Sequence, residues 1–441
     1  MLNRKKPVSL FSAIILVIAN MIGTGVFTTL GFQLAGVHFP LTALLLWVVG
    51  GIVSFCGALS YAELGAMMPH SGGEYAYLTR IYHPAIGFIS GSVSILVGFG
   101  APIALAAMAL GRYSRMAFPG VNETALAAGA IVILTLVHLA DVKFGCHFQN
   151  VFTVSKVLLI AAFIAAGFAM PHPQNLLPPA SFDWTGSVFN REFAVALVYV
   201  SFAYSGWNAS AYIGGEIPAP ERNIPVSLFL GTLFVSIFYI LLNLVFLLTV
   251  PAAELTGKIE IGYLSARAIF GAGGAGLMTG LICLVLVSTL SSMIMLGPRV
   301  AAAMGEDIGA LGFLAGRNPR GVPVRAILIQ STVAILLVMT SSFNFVLTYV
   351  GFTLSLFSSL AVLGLFVLRF RKPHLKRPFK TWGYPVVPAL YLVVNGWMLC
   401  YLVIQRPLPS ALCMMTVASL LVLYKWLAIK QCQFSSLPEE K

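Results

Sequence analysis

The sequence has little charge. Acidic and basic residues make up 9% of the chain, whereas a soluble domain has about 25%, and 59% of the residues are hydrophobic. The mean hydropathy of +0.93 excludes a soluble globular protein. Acids are especially scarce, 14 against 26 bases. The bases fall in short loops and form no aromatic-interleaved patch, so we expect no nucleic acid partner.

Paired cysteines and catalytic groups are also missing. The six cysteines lack the paired spacing that is typical of a zinc site or a disulfide framework. The histidines are scattered, without a cysteine or an acid at metal-ligand spacing. We therefore predict no metal, no cofactor and no enzyme activity.

Long apolar runs dominate what is present. They are of a length that suits helices crossing a hydrocarbon core of about 30 Å, whereas the strands of a membrane barrel would be shorter and would alternate in polarity. The first run resembles a signal peptide, but it is too long and lacks a small-residue cleavage site, so we interpret it as a retained span. We predict an all-α integral membrane protein with twelve transmembrane helices, near 9–35, 41–66, 84–111, 124–140, 149–170, 192–217, 225–250, 273–303, 323–341, 343–368, 385–404 and 408–429.

Basic residues indicate the orientation of these spans. Nineteen of the 26 lysines and arginines, Arg4, Lys5, Lys6, Arg320 and Lys441 among them, lie on the side of the amino terminus, six lie opposite, and Lys156 lies within a span. Basic loops stay on the cytoplasmic side of a membrane. We predict a multi-pass protein of the cell inner (plasma) membrane with both termini in the cytoplasm.

The first span carries an unusual centre, Ile22-Gly23-Thr24-Gly25-Val26-Phe27. Glycine is the costliest ordinary residue in a helix after proline, and opened backbone in a membrane is tolerated only where protein buries it or a cavity adjoins it. The motif therefore indicates a broken helix at a binding site. Close helix packing through small residues is the alternative.

A second interruption, Phe202 to Asn208 (FAYSGWN), lies in the middle of the sixth span. Because five spans separate the two, a second unit of five would enter the membrane in the opposite orientation. Paired interruptions of this kind are the best sequence indication of a transporter site near the bilayer midplane. We assign the first repeat to residues 1–170, the second to 171–372, and spans eleven and twelve with a cytoplasmic tail to 373–441.

Broken helices expose partial charges at their free ends, positive at N–H groups and negative at carbonyls. A free amino acid needs both, which favours a zwitterionic or at least anionic ligand. We expect its carboxylate at the N–H groups of Gly23, Thr24 and Gly25, and its ammonium at carbonyls near Phe202 and Ala203.

Lys156 is the only basic residue well inside an apolar span. Ionisable groups there are costly and are functional candidates. At 1.5 Å per residue it lies about 9 Å below Asn150, so a stem reaching back to the interface is one alternative. The other is an ammonium that substitutes for a bound sodium ion, joining span five to the first break and to Ser288 and Thr289 in span eight. It could also release a proton during the cycle.

The placement of acids bears on the substrate. Glu63 and Glu216 lie near the predicted cytoplasmic ends of spans, and the third span contains no acid. No carboxylate is therefore expected to neutralise a second positive charge on a substrate. This favours neutral amino acids over basic amino acids and polyamines.

In this order the motifs resemble the amino acid–polyamine–organocation superfamily, and within it the prokaryotic relatives of the L-type amino acid transporters. The resemblance covers nearly the whole chain. Its marks are IGTGVF at 22–27, YAELG at 61–65, PHSGGEYAYL at 69–78, the Lys156 segment, FAYSGWN at 202–208, EIPAPERNIP at 216–225, GPRVAAAMGED at 297–307 and RPFKTWGYPVVPALY at 377–391.

The resemblance implies a LeuT-like fold of five plus five inverted helices with two more appended. It also implies alternating access and amino acid exchange or proton coupling rather than sodium symport. Carried over by position, Ile22, Thr24 and Gly25 would meet the substrate backbone, and Phe202 would be an aromatic gate. In the same way, the resemblance implies that Ser205, Gly206 and Asn208 line the pocket. It also implies that the Lys156 ammonium occupies the position of the sodium ion that it replaces.

Departures from the family pattern occur at three places. Thr24 replaces a serine of many relatives, and its additional methyl group is expected to narrow the pocket or to shift its substrate preference. Gly214-Gly215-Glu216 lacks a second acid, so no cytoplasmic salt-bridge gate is carried over. The loop from Arg112 to Glu123 has no cysteine, so we expect no disulfide-linked heavy chain.

These observations predict a sodium-independent permease or exchanger of neutral L-amino acids, with the lipid bilayer and protons as further partners. A proton-coupled symporter or an exporter is the alternative within transport. An amino acid-binding membrane sensor is a third hypothesis, although the residues after Ile429 are too few for a soluble output domain.

Overall fold

The structure, a computed structural model, describes residues 8–37, 39–140, 142–171, 174, 176–177, 179, 181–318 and 322–435. Within these ranges no strand forms, and one isolated bridge joins Ser71 to Ile213. The α-helices are α1 Leu10–Met21, α2 Gly25–Thr28, α3 Leu30–Gly36, α4 Pro40–Met67, α5 Glu74–Ile81, α6 Pro84–Val93, α7 Gly100–Ala117, α8 Glu123–Ala140, α9 Val142–Ala169, α10 Trp184–Val188, α11 Arg191–Tyr204, α12 Pro220–Thr249, α13 Ala252–Leu255, α14 Ile261–Asp307, α15 Gly312–Ala315, α16 Val324–Thr340, α17 Phe343–Arg371, α18 Val386–Gln405 and α19 Pro407–Ser435. A π-helix, Ser94–Phe99, joins α6 to α7, and 3₁₀-helices span Ala209–Tyr212, Gly214–Glu216 and Gly309–Leu311.

The prediction of an all-helical membrane protein is confirmed. Nine helical segments of the described chain are long and apolar enough to cross a membrane, namely Leu10–Thr28, Pro40–Met67, Pro84–Met116, Val151–Ala169, Pro220–Thr249, Met278–Asp307, Phe343–Arg371, Val386–Gln405 and Pro407–Leu427. Two shorter apolar helices, Glu123–Leu139 and Val324–Thr340, lie where the sequence predicts spans four and nine. The count of twelve crossings stays a prediction, because the segment predicted as span six is divided.

Proline helps to define where the long helices begin. Pro40, Pro84 and Pro220 stand in the first turns of α4, α6 and α12. The first turn of a helix suits proline, since its missing N–H would have no acceptor there and its φ angle is already helical. These prolines therefore favour helix starts at the observed positions.

The surface of the bundle is apolar where lipid would cover it. Ile133, Leu336 and Val422 are 63%, 57% and 68% exposed. Apolar surface on this scale is unstable in water and marks contact with lipid or protein. The chain is a multi-pass membrane protein.

Both predicted helix breaks are present. α1 ends at Met21 and α2 begins at Gly25, with Ile22 outside helical geometry at ψ 89°. α11 ends at Tyr204, where Ser205 turns to ψ 152°. The next residue, Gly206, has φ +97°, a conformation that favours glycine.

The orientation rests in part on residues that are not described. Arg4, Lys5, Lys6, Arg320 and Lys441 lie outside the described residues. The cytoplasmic location of both termini therefore stays a prediction.

Candidate functional site

The two breaks lie directly against each other. A Cβ atom added to Gly25 would come within 2.6 Å of Ala203 Cβ and 3.2 Å of Ala203 N, and one added to Gly206 would come within 2.8 Å of the Asn20 carbonyl. Only glycine permits such an approach of two backbones. Close packing and helix opening, the two interpretations of the first glycine motif, therefore both hold at this crossing.

Lys156 reaches this crossing from α9. Its side chain is 1% exposed, and its Nζ donates to the carbonyl oxygens of Ala19 at 2.8 Å and Ile22 at 2.7 Å. These carbonyls are free because the helix ends at Met21. The ammonium is buried at the break, which excludes the alternative of a stem reaching back to the interface.

The hydroxyl groups of Ser288 and Thr289 in α14 differ in their contacts. Thr289 Oγ1 donates to Val285 O at 3.0 Å and lies 3.5 Å from Ile22 O, so it reaches the first break. Ser288 Oγ is buried and has no hydrogen-bond partner in the described part of the chain. Of the two predicted coupling hydroxyls, Thr289 thus joins the Lys156 cluster and Ser288 has no bond to it.

A cavity of about 80 Å³ adjoins the second break. Three predicted site residues line it, Ser205, Gly206 and Asn208, together with Asn20 and Glu74 among others. The remaining predicted substrate residues are buried and lie outside its lining: Ile22, Gly23, Thr24, Gly25, Phe202 and Ala203. Their contact with substrate stays a prediction.

Glu74, at the start of α5, is a site residue that sequence reasoning missed. It is 3% exposed, and its Oε1 accepts hydrogen bonds from Tyr61 Oη at 2.7 Å and Asn208 Nδ2 at 3.3 Å. Burial raises the pKa of this carboxyl to about 7. The expectation that no carboxylate would face the substrate region is therefore wrong.

The sequence feature that could have indicated Glu74 is the pair of glycines directly before it. Gly72 and Gly73 have φ angles of +115° and +53°, and they turn the chain so that the helix after them runs inwards. The helix α5 buries Glu74, Tyr75 and Tyr77.

Ion pairs close both ends of the bundle. Arg299 Nε lies 3.2 Å from Glu216 Oε1, so the single acid of Gly214-Gly215-Glu216 forms a salt bridge. At the opposite end Arg112 lies 2.6 Å from Glu260 and 3.1 Å from Glu123.

The neighbouring Tyr113 ties the same end to the first broken helix. Its hydroxyl donates to Phe27 O at 2.9 Å and accepts from Gly262 N at 3.1 Å. The half-helix that follows the first break is thereby joined to α7 and α14.

Taken together, the site has two helix breaks that lie against each other, a buried ammonium on one of them, and a cavity with a buried carboxylate beside the other. Within the described residues no group of histidines, cysteines and acids could hold a metal ion.

Comparison with known proteins identifies the family of this chain. The family model described as amino acid permease matches residues 8–420. The chain is 28% identical to the mouse b(0,+)-type amino acid transporter 1 over 447 residues, which cover 95% of this chain and 87% of the mouse protein.

Two further mouse proteins are similar. The Asc-type amino acid transporter 1 is 28% identical over 92% of this chain and 78% of its own length. The large neutral amino acids transporter small subunit 2 is 28% identical over 91% of this chain and 77% of its own length. Together with the broken helices, these matches show that the chain belongs to the amino acid permease family of the amino acid–polyamine–organocation superfamily, a family of transporters and not of enzymes.

Proposed function

We propose that the protein is a sodium-independent exchanger of neutral L-amino acids that works by alternating access. We place it in the cell inner (plasma) membrane with both termini in the cytoplasm. The observation that carries the proposal is the Lys156 ammonium on the carbonyls of Ala19 and Ile22.

The argument for sodium independence starts from those carbonyls. In transporters with broken helices, unwound carbonyls coordinate the coupling cation. Here an ammonium already occupies two of them and lies next to the Thr289 hydroxyl, which is 3.5 Å from the same Ile22 oxygen. A second cation there would be repelled at short range in a medium of low dielectric constant.

The substrate proposal rests on the helix ends. The N–H groups around Gly23, Thr24 and Gly25 open the half-helix that follows the first break, where a carboxylate is stabilised. Carbonyls near Phe202 and Ala203 end the preceding half of the second broken helix and suit an ammonium. The name of one relative refers to large neutral amino acids, which supports neutral substrates for this chain.

The fold proposal is a LeuT-like arrangement of twelve helices with inverted repeats at 1–170 and 171–372. Each proposed repeat begins with a broken helix, and the two breaks cross. This contact between the breaks supports a site at the interface of the proposed repeats, where rocking of one repeat against the other would expose it alternately.

Counterflow tests the function. The purified chain alone is reconstituted in sodium-free proteoliposomes that are preloaded with leucine, alanine, lysine or no amino acid, and uptake of labelled leucine is followed. We expect uptake only with a neutral amino acid inside. Because the loop from Arg112 to Glu123 has no cysteine, we expect exchange without a heavy chain.

The other outcomes separate the alternatives. Uptake that needs a pH gradient and no internal amino acid would identify a proton-coupled symporter, and exchange for internal lysine would contradict the neutral preference. Saturable leucine binding without uptake under any condition would support a sensor and refute transport.

A further inference from the structure

Glu74 is the buried acid that the exchange proposal leaves without a role. It is 97% buried on the lining of the cavity. One oxygen, Oε1, accepts both hydrogen bonds, from Tyr61 and Asn208. The other oxygen, Oε2, makes no hydrogen bond with the described residues.

The carboxylate has no countercharge. It forms no ion pair with any residue that the structure describes, and an unpaired buried charge is costly unless it is neutralised. The titratable groups that face it from α4, α5, the 3₁₀-helix Ala209–Tyr212 and α18 are all phenols, and none of them supplies a positive charge: Tyr61, Tyr77, Tyr212 and Tyr391.

Charged groups elsewhere on and around α5 are engaged with other partners. Arg80 lies 2.8 Å from His70 Nδ1, and Asp307 of α14 accepts a hydrogen bond from Tyr75 at 2.8 Å. Burial and the neighbouring Arg80 lower the pKa of His70 below its usual value of about 6.5, whereas burial raises the pKa of Glu74 to about 7. Glu74 is therefore the group of this cluster that titrates at neutral pH.

The segment that carries Glu74 is attached to the second broken helix. Gly72 N donates to Tyr212 O at 3.0 Å, and Ser71 forms the isolated bridge to Ile213. Asn208, which bonds Glu74 directly, lies in the break itself. A change in charge at Glu74 thus acts on the half of the helix that follows the break.

We propose that Glu74 is the proton-binding group of the transport cavity, and that its protonation loosens the half-helix after the second break and speeds opening of the cavity. Hydrogen bonds to an ionised carboxylate are about twice as strong as neutral ones, so an added proton weakens the bond from Asn208. The inference rests on the proposed transport function and adds the group through which pH controls it.

The test is the pH profile of counterflow, with equal pH on both sides, from about pH 5.5 to about pH 8.5 so that the profile spans the midpoint. The counterflow rates of each variant are divided by the maximum rate of that variant. Wild-type exchange should rise as pH falls through about 7, because the neutral carboxyl releases Asn208. Glu74→Gln, neutral at every pH, should have a flat profile, and Glu254→Gln, an exposed acid, should retain the wild-type profile.

A second variant covers the case in which Glu74→Gln does not fold. Tyr61→Phe removes the 2.7 Å hydrogen bond that stabilises the charged carboxylate. Its loss should move the midpoint upwards by about one pH unit.

A wild-type profile in Glu74→Gln, an unmoved midpoint in Tyr61→Phe or a flat wild-type profile would overturn the inference and leave the exchange proposal standing. Absence of counterflow by the folded wild-type protein at every pH would overturn both.

Discussion

Replacement of Lys156 by methionine tests the central contact of the proposed site. The change keeps the apolar stem and removes the ammonium, which is 1% exposed and donates to two carbonyls at 2.8 and 2.7 Å. Each buried acceptor left without a donor costs about 1–3 kcal/mol. Relief of the desolvated charge offsets part of this loss, so we expect the ordered break to be destabilised by about 2 kcal/mol, a factor of about 30.

The assay is the initial rate of leucine counterflow without sodium. Lys156→Met should reduce the rate by at least about tenfold, in line with that free energy. Lys258→Met, which removes an exposed lysine, is the matched control and should leave the rate unchanged.

A smaller side chain adds a second readout. Lys156→Ala leaves room beside Ala19 O, Ile22 O and the Thr289 hydroxyl, and carbonyls of opened helices coordinate sodium. We expect sodium to restore part of the exchange in Lys156→Ala and to have no effect on Lys156→Met. A wild-type rate for Lys156→Met without sodium would refute the reasoning that the ammonium organises the break.

Two further substitutions probe packing and stability. Gly25→Ala places a Cβ within 2.6 Å of Ala203 Cβ, and because overpacking costs about 1–3 kcal/mol, the counterflow rate should fall about tenfold or more. The control Gly129→Ala, with no atom within 4 Å of the new Cβ, should leave the rate unchanged. Equal rates for the two variants would contradict the close contact between the breaks. Glu63→Gln removes a fully buried carboxylate that lies 2.6 Å from an arginine and should destabilise the protein by about 3 kcal/mol in a thermal unfolding assay. Glu306→Gln, at an exposed pair, should cost less than about 0.5 kcal/mol, and similar losses for the two variants would exclude a structural role for the buried pair.

Local features of the chain account for much of the architecture. Apolar runs of membrane-spanning length predicted helices close to those observed, such as α4 at Pro40–Met67 for the span predicted at 41–66. The hydroxyl and glycine motifs predicted the breaks, because glycine is costly in a helix wherever it lies. Lys156 was found because a charge in an apolar run is conspicuous on its own.

Contacts between distant segments could not be predicted in this way. Glu74 lies in a polar segment that looks like a surface loop, and only the turn at Gly72 and Gly73 brings it beside Asn208, 134 residues away. The Glu216–Arg299 pair likewise joins the ends of two separate helices. Neither pairing has a local pattern.

The sequence by itself determined that the chain is a helical membrane protein, which helices break and where a buried ammonium lies. These properties follow from the hydrophobicity of each side chain and from the free-energy cost of placing each residue in a helix, and both are local. The tertiary structure alone decided that the breaks cross, that Lys156 lies on the carbonyls of Ala19 and Ile22, and that Glu74 adjoins the cavity. Such contacts depend on how helices pack, and packing is set by the shape of all of them together.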